Sequence, residues 1–141
     1  MVYEALKLEH QLCFPLYACS REITKRYKPY LDEIGLTYTQ YVVMLVLWER
    51  EQVTVKELGG RLYLDSGTLT PLLKRLAAEG LIVRTRSAED ERSVIISLSE
   101  RGDRLREKAK DIPQKIAACL SLSQEDAGNL YRILYLILES E

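Results

Sequence analysis

Three cysteines, Cys13, Cys19 and Cys119, are the strongest candidate nucleophiles in this 141-residue sequence, and His10 is its single histidine. A thiol attacks as its thiolate, so a reactive cysteine needs groups that favour the anion. His10 is the one candidate base, and no Cys–His or Ser–His–Asp arrangement is suggested. An odd cysteine count without a secretion signal argues against a disulfide framework. No CxxC, HExxH or Cys/His cluster is present, so no metal site is expected. Neither GxxxxGK followed by Ser or Thr nor GxGxxG occurs, so no phosphate loop and no cofactor are expected. Taken alone, Cys13 reads more readily as a small buried core residue.

A second set of residues could bind phosphate. Lys74 and Arg75 follow Thr70 and Pro71 in one segment, and Arg84, Arg86 and Arg92 lie around another. The charge balance, 20 basic against 21 acidic residues, neither demands nor forbids a nucleic-acid partner. Positive charge must therefore be placed locally.

The elements that position these groups are legible from periodicity and caps. The hydrophobic fraction of 47% supports a folded core. The longest near-continuous apolar run, residues 41–48, is far short of the ~20 needed to span a membrane. With no signal-peptide pattern at the N-terminus, a cytoplasmic location is expected. A first helix is expected over residues 6–32, interrupted at Pro15, where it must kink or begin. Thr37 and Gln40 form a capping box before a buried helix over 41–51. Thr54 and Glu57 form another, opening a short helix with Val55, Leu58 and Leu62 on one face. After a turn at 63–65, residues 66–79 carry a Leu69, Leu72, Leu73, Leu76 stripe and close at Gly80. Residues 81–86 and 93–98, rich in Val and Ile, predict a β-hairpin with a charged tip. Ser99 caps a helix running towards Cys119 with a bend at Pro113. Ser123 caps a last helix carrying Ala127, Leu130, Leu134, Ile137 and Leu138.

Two short helices followed by a β-hairpin make a winged helix-turn-helix. The expected fold is mainly α with a small β-hairpin. Opposite the leucine stripe lie Gly67, Thr70, Pro71, Lys74 and Arg75, which suit a groove, with Arg able to read guanine. Arg84, Arg86 and Arg92 flank the wing, placed for a minor groove. Asp90 is expected to orient Arg92 through a salt bridge. Any one of these residues could equally be an ordinary exposed charge, but their combination is harder to explain that way.

Residues 64–76, LDSGTLTPLLKRL, followed by Asp90-Glu-Arg-Ser93, resemble the MarR family of winged-helix regulators. Leu12-Cys-Phe14, Ser20-Arg-Glu-Ile23 and Leu36-Thr-Tyr38 narrow the resemblance to its organic-hydroperoxide-responsive repressors. It covers nearly the whole chain. It implies one domain over 1–141, with DNA binding over about 37–98 and dimerisation helices over about 1–32 and 99–141. It implies a homodimer on a pseudo-palindromic double-stranded operator, released when an organic hydroperoxide oxidises Cys13. Tyr27 and Tyr38 match the tyrosines that hydrogen-bond the reactive cysteine. Ser66, Gly67, Thr68, Thr70 and Arg75 match recognition-helix contacts, and Arg92 the wing arginine. Pro15 departs from the apolar residue expected there.

Helix geometry adds a constraint. Tyr17 shares the Cys13 face, but Tyr27 lies about 21 Å along a straight helix from Cys13. A Tyr27–Cys13 contact must therefore cross a dimer interface. Cys19 is about 9 Å along the axis from Cys13, beyond the ~7 Å between disulfide Cα atoms. Cys119 is a candidate resolving thiol, in the region where two-cysteine relatives carry one. If it is silent, a low-molecular-weight thiol would cap Cys13. Three rivals remain: a repressor released by a reversible phenolic ligand, a thiol peroxidase, and a protein-interaction winged helix. The preferred reading is a regulator and not an enzyme.

Overall fold

The computed structural model describes residues 1–140. It divides into two compact units, Met1–Lys110 and the residues from Asp111 onward. Among the described residues no helix is long and apolar enough to cross a membrane.

The first unit opens with two single 3-10 turns, Glu4–Leu6 and Leu8–His10. They are tied by His10 Nδ1, 2.7 Å from the Glu4 carbonyl, and by Gln11 Nε2, which donates to the Ala5 and Lys7 carbonyls at 2.8 Å each. Helix α1 then runs Cys13–Ile34. The helix expected from residue 6 thus begins at Cys13, and Pro15 falls in its first turn, where a missing N–H leaves no intrahelical bond unmade. A second proline, Pro29, lies inside α1. It deprives the Lys25 carbonyl of its usual donor. Gly35, at φ 72°, turns the chain, its N–H bonded to the Asp32 and Leu31 carbonyls.

Helix α2 (Tyr38–Arg50) carries the full capping box: Gln40 N–H donates to Thr37 Oγ1 at 3.3 Å and Thr37 N–H to Gln40 Oε1 at 2.9 Å. Tyr41, Val43, Met44, Val46 and Leu47 are buried, forming the centre of the core. Strand β1 (Gln52–Thr54) follows. The expected hairpin, β2 (Ile82–Arg86) and β3 (Val94–Leu98), is therefore part of an antiparallel sheet ordered β1-β3-β2, with Val53 and Arg84 flanking Ile96. Thr54 ends β1 and also caps α3 (Val55–Leu62), accepting from Glu57 N–H at 3.1 Å. Only this half of the second expected capping box forms among the described residues.

Helix α4 (Ser66–Ala78) is capped by Asp65, whose Oδ1 accepts from Thr68 N–H at 2.7 Å. Leu69, Leu73 and Leu76 are buried, with Leu58 from α3. The turn between the helices is tight, since a Cβ on Gly59 would approach the Leu64 carbonyl oxygen to 2.8 Å. Helix α5 (Glu100–Ala109) starts from Ser99, whose Oγ accepts from Gly102 N–H at 2.9 Å.

The second unit holds α6 (Ile112–Leu120) and α7 (Gln124–Leu138). The single helix expected from Ser99 towards Cys119 is thus two, because Pro113 occupies the first turn of a new helix rather than a bend within one. Ser123 Oγ caps α7, accepting from Asp126 N–H at 3.0 Å. No residue of α7 is buried, and Leu130, Tyr131, Ile133, Leu136, Ile137 and Leu138 are exposed. Leu6, Leu8, Leu12, Phe14, Leu16 and Tyr17 are exposed as well. Apolar residues left in solvent thus gather at the two chain ends, the mark of surfaces that meet a partner.

Candidate redox sensor and nucleic-acid interface

The Gly35 turn and the Thr37 box fold the start of α2 back against α1. This brings Tyr27, midway along α1, to Tyr38, the first residue of α2, with ring centroids 5.0 Å apart and planes at 60°. Tyr41, one turn on, lies 5.7 Å from Tyr27 and 6.2 Å from Tyr38, and Trp48 lies 6.4 Å beyond it. Burial raises the Tyr38 hydroxyl above its ordinary pKa. Burial, then neighbouring Tyr38, does the same to Tyr27. Burial, with Tyr27 and Tyr38 adding, pushes Tyr41 up to about 12. Near neutral pH these groups are therefore uncharged hydroxyl donors, suited to an anion. Beside Tyr38 a cavity of about 650 Å³ opens, lined by Arg21, Thr24, Lys25, Lys28, Leu31 and Leu36 among others. Sequence reasoning missed Tyr41 and Trp48, although spacings of three and seven residues placed Tyr38, Tyr41 and Trp48 near one helix face.

Cys13 is exposed and is the first residue of α1. Its sulfur lies at the helix end whose free N–H groups favour negative charge. Because α1 runs unbroken from Cys13 past Tyr27, the two remain about 21 Å apart along the axis. The fold of one chain thus assembles the two tyrosines and does not bring their own Cys13 to them. Cys19, on α1, and Cys119, on α6, are exposed too.

On the opposite function, α4 exposes Ser66, Gly67, Thr68, Pro71, Lys74 and Arg75. Thr70 is half-buried, its hydroxyl donating back to the Ser66 carbonyl at 2.8 Å. A groove of about 730 Å³ separates α3 and α4 from the wing, lined by Lys56, Gly60, Ser66, Thr70, Arg84, Asp90 and Arg92 among others. Lys56 was not foreseen. Its signal was a lysine in the first turn of a capped helix, flanking buried Leu58. At the wing tip, Asp90 Oδ1 accepts from the backbone N–H of Arg92 at 3.0 Å, and Ser93 N–H donates to the Asp90 carbonyl at 2.9 Å. The expected Asp90–Arg92 salt bridge is therefore a side-chain-to-backbone turn, because a short carboxylate reaches the amide two residues on more readily than a distant guanidinium. Among the described residues the Arg92 guanidinium has no ion pair. Arg86 braces the tip, Nη1 donating to the Glu91 carbonyl at 3.0 Å.

The family described as transcriptional regulator SarA/Rot matches residues 25–112. The organic hydroperoxide resistance transcriptional regulator of Bacillus subtilis (strain 168) is 57% identical over 138 residues, covering 98% of this chain and 94% of its own. The chain belongs to the MarR-type winged-helix regulators, in their organic-hydroperoxide-responsive group. The HTH-type transcriptional regulator SarZ of Staphylococcus epidermidis is 45% identical over 130 residues, 92% of this chain and 88% of its own. Among solved structures, reduced AbfR bound to DNA superposes with a TM-score of 0.80 at 37% identity, over 96% of this chain and 94% of that one.

The family match over residues 25–112 contains Tyr27, Tyr38, Tyr41, Trp48, α4 and the wing. Cys13, Cys19 and Cys119 fall outside it.

Proposed function

We propose that this protein is a homodimeric, DNA-binding repressor that leaves its operator when an organic hydroperoxide oxidises Cys13. The observation that carries the reading is the Tyr27–Tyr38 pair, two neutral phenols with ring centroids 5.0 Å apart, whose own Cys13 lies about 21 Å away along α1. They fit a thiolate supplied by the second protomer, whose α1 presents Cys13 at its exposed, apolar N-terminal end. The kinship to a regulator named for organic hydroperoxide resistance supports the effector class.

The chemistry is a two-electron transfer. The thiolate attacks the terminal peroxide oxygen, an S–O bond forms as the O–O bond breaks, and the alkoxide leaves to take a proton as the alcohol. Cys13 becomes a sulfenic acid and the hydroperoxide is reduced. A second thiol then displaces hydroxide as water, giving a disulfide. Cys119 of the other protomer, or a low-molecular-weight thiol, fills that place. One oxidation per switch makes this regulation rather than enzyme turnover, and a free, reduced thiol suits the cytoplasm. On DNA, α4 would enter the major groove through Ser66, Gly67, Thr68, Thr70, Pro71, Lys74 and Arg75. The wing would reach the minor groove, with Arg84 and Arg92 on phosphate or groove floor and Arg86 and Asp90 shaping the tip.

Operator binding by wild type and Cys13→Ser, each before and after cumene hydroperoxide, tests the reading. Wild type should release the DNA and the variant should stay bound. A Cys13→Ser protein that still lets go on peroxide treatment would sink the cysteine switch.

A further inference from the structure

Tyr41 has no task in the reading above, yet it is the centre of the aromatic cluster. It is 2% exposed. Its ring meets Tyr27 at 5.7 Å and 45°, Tyr38 at 6.2 Å and 49°, and Trp48 at 6.4 Å and 66°. One side chain thus touches both phenols proposed to hold the thiolate and the sole tryptophan of the chain. From Trp48 the contacts continue. Its Nε1 donates to the Gly102 carbonyl at 2.9 Å, and its own carbonyl accepts from Arg106 Nη1 at 3.3 Å. Gly102 packs so closely on the Leu81 carbonyl, just before β2, that a Cβ there would collide with it.

We propose that Tyr41 is the positioning residue of the sensor: its ring fixes the angle between the Tyr27 and Tyr38 hydroxyls and passes any movement of that pair to Trp48 and the root of the wing. The proposal rests on the reading that the two phenols hold Cys13 of the partner subunit. A hydroxyl–thiolate hydrogen bond weakens steeply as its angle opens, so two donors converging on one sulfur need their rings held. Tyr38, first in its helix, has no preceding helical turn to hold it. Its constraints are the Thr37–Gln40 cap, the ring of Tyr27 at 5.0 Å and the ring of Tyr41 one turn later, at 6.2 Å. Close-packed rings cannot turn without displacing neighbours, so a change at Tyr27 or Tyr38 reaches Trp48 through Tyr41. The ring performs this role and the hydroxyl does not. Phenylalanine should therefore preserve it, and a flexible aliphatic of similar length should not.

The test uses the full-length reduced dimer of wild type, Tyr41→Phe and Tyr41→Met. The rate of Cys13 oxidation by cumene hydroperoxide is followed from pH 5 to 9. Tyr41→Phe should stay within about twofold of wild type. Tyr41→Met should react at least about fivefold more slowly, its pH profile moved upward because the thiolate has lost oriented donors. A folded Tyr41→Met that reacts like wild type overturns the proposal. Should that variant fail to fold, Trp48 emission in wild type decides. It should change on oxidation and remain unchanged in Cys13→Ser, and a constant wild-type emission overturns the proposal. If wild-type Cys13 itself fails to react with hydroperoxide, the sensing reading fails instead, and the two failures are told apart.

Discussion

The Trp48 indole N–H donates to the Gly102 carbonyl at 2.9 Å, joining the last turns of α2 to the first turn of α5. The bond exists because residue 102 has no side chain. A Cβ would run into the Leu81 carbonyl oxygen, which already accepts the Ser99 N–H at 3.1 Å. Neither backbone can retreat without losing a hydrogen bond. Gly102→Ala should therefore destabilise the protein by about 3 kcal/mol, at the upper end of overpacking costs. The expected readout is a lower urea midpoint at an unchanged slope. A wild-type midpoint would show that the α5 turn shifts freely.

Asp65 links stability of the reading head to acid. The backbone N–H of Thr68 bonds its carboxylate and lowers its pKa. A group depressed in the folded state stabilises above its unfolded pKa, about 3.9, and loses that contribution as pH falls through the folded value. Asp65→Asn retains a capping side chain and removes the titration. Wild type should therefore be the more stable at pH 7 in thermal melts, with the gap closing below about pH 4. A gap that does not narrow at all as pH falls below about 4 would mean the carboxylate charge contributes nothing.

Much of this fold is legible in sequence, for identifiable reasons. Thr37, Ser99 and Ser123 each announced a helix start because a side-chain cap is local chemistry, read within four residues. The α4 leucine stripe was equally local. What failed depended on distant partners. β1 is three residues long and makes sense only against β3, so Val53 gave no period to read. The break between α5 and α6 left one proline as its signal, and Pro113 fits a bend or a first turn equally well. Tyr27 and Tyr38 were found through family resemblance. Tyr41 was lost inside an apolar run, where an aromatic ring reads as core.

Tyr41 should also be visible in alkaline solution. Burial, then Tyr27 and Tyr38, raise it to about 12. A pKa raised by folding gives stability that is fully present below the unfolded value, about 10, and lost as pH climbs through the folded value. Wild type should thus lose stability faster than Tyr41→Phe as pH rises from about 10 to about 12. Melting temperatures at intervals across that range check this, since the other eight tyrosines are common to both proteins. Parallel curves would mean that the Tyr41 phenol titrates as freely folded as unfolded.

The groove predicts two kinds of DNA mutant. Lys56 and Arg92 line the same groove; if Lys56 meets phosphate there, Lys56→Ala should weaken all sequences alike and reduce the salt slope by about 1. Arg75, exposed on α4, is the base-reading candidate. Arg75→Ala should cost about 1–3 kcal/mol on the operator and relax specificity at one base pair. Gel shifts across a salt series on operator and scrambled duplex separate them. A uniform loss from Arg75→Ala would reassign that arginine to phosphate.

The three thiols make different predictions for the oxidised state. Cys13 and Cys19 share α1, about 9 Å apart along its axis, which exceeds the ~7 Å span of a disulfide. No unstrained bridge can join them while α1 persists. In the proposed function the bridge from Cys13 is made to Cys119 of the other protomer or to a small thiol. If Cys119 is the resolving thiol, wild type treated with cumene hydroperoxide runs as a covalent dimer on a non-reducing gel and Cys119→Ser does not. Cys19→Ser should behave as wild type. If wild type stays monomeric on the gel while its mass rises by that of an added small thiol, Cys119 has no part in resolution. DNA release by the Cys119→Ser protein then distinguishes sulfenic acid formation from disulfide formation as the event that moves the reading heads. Release without a bridge means that the first S–O bond suffices.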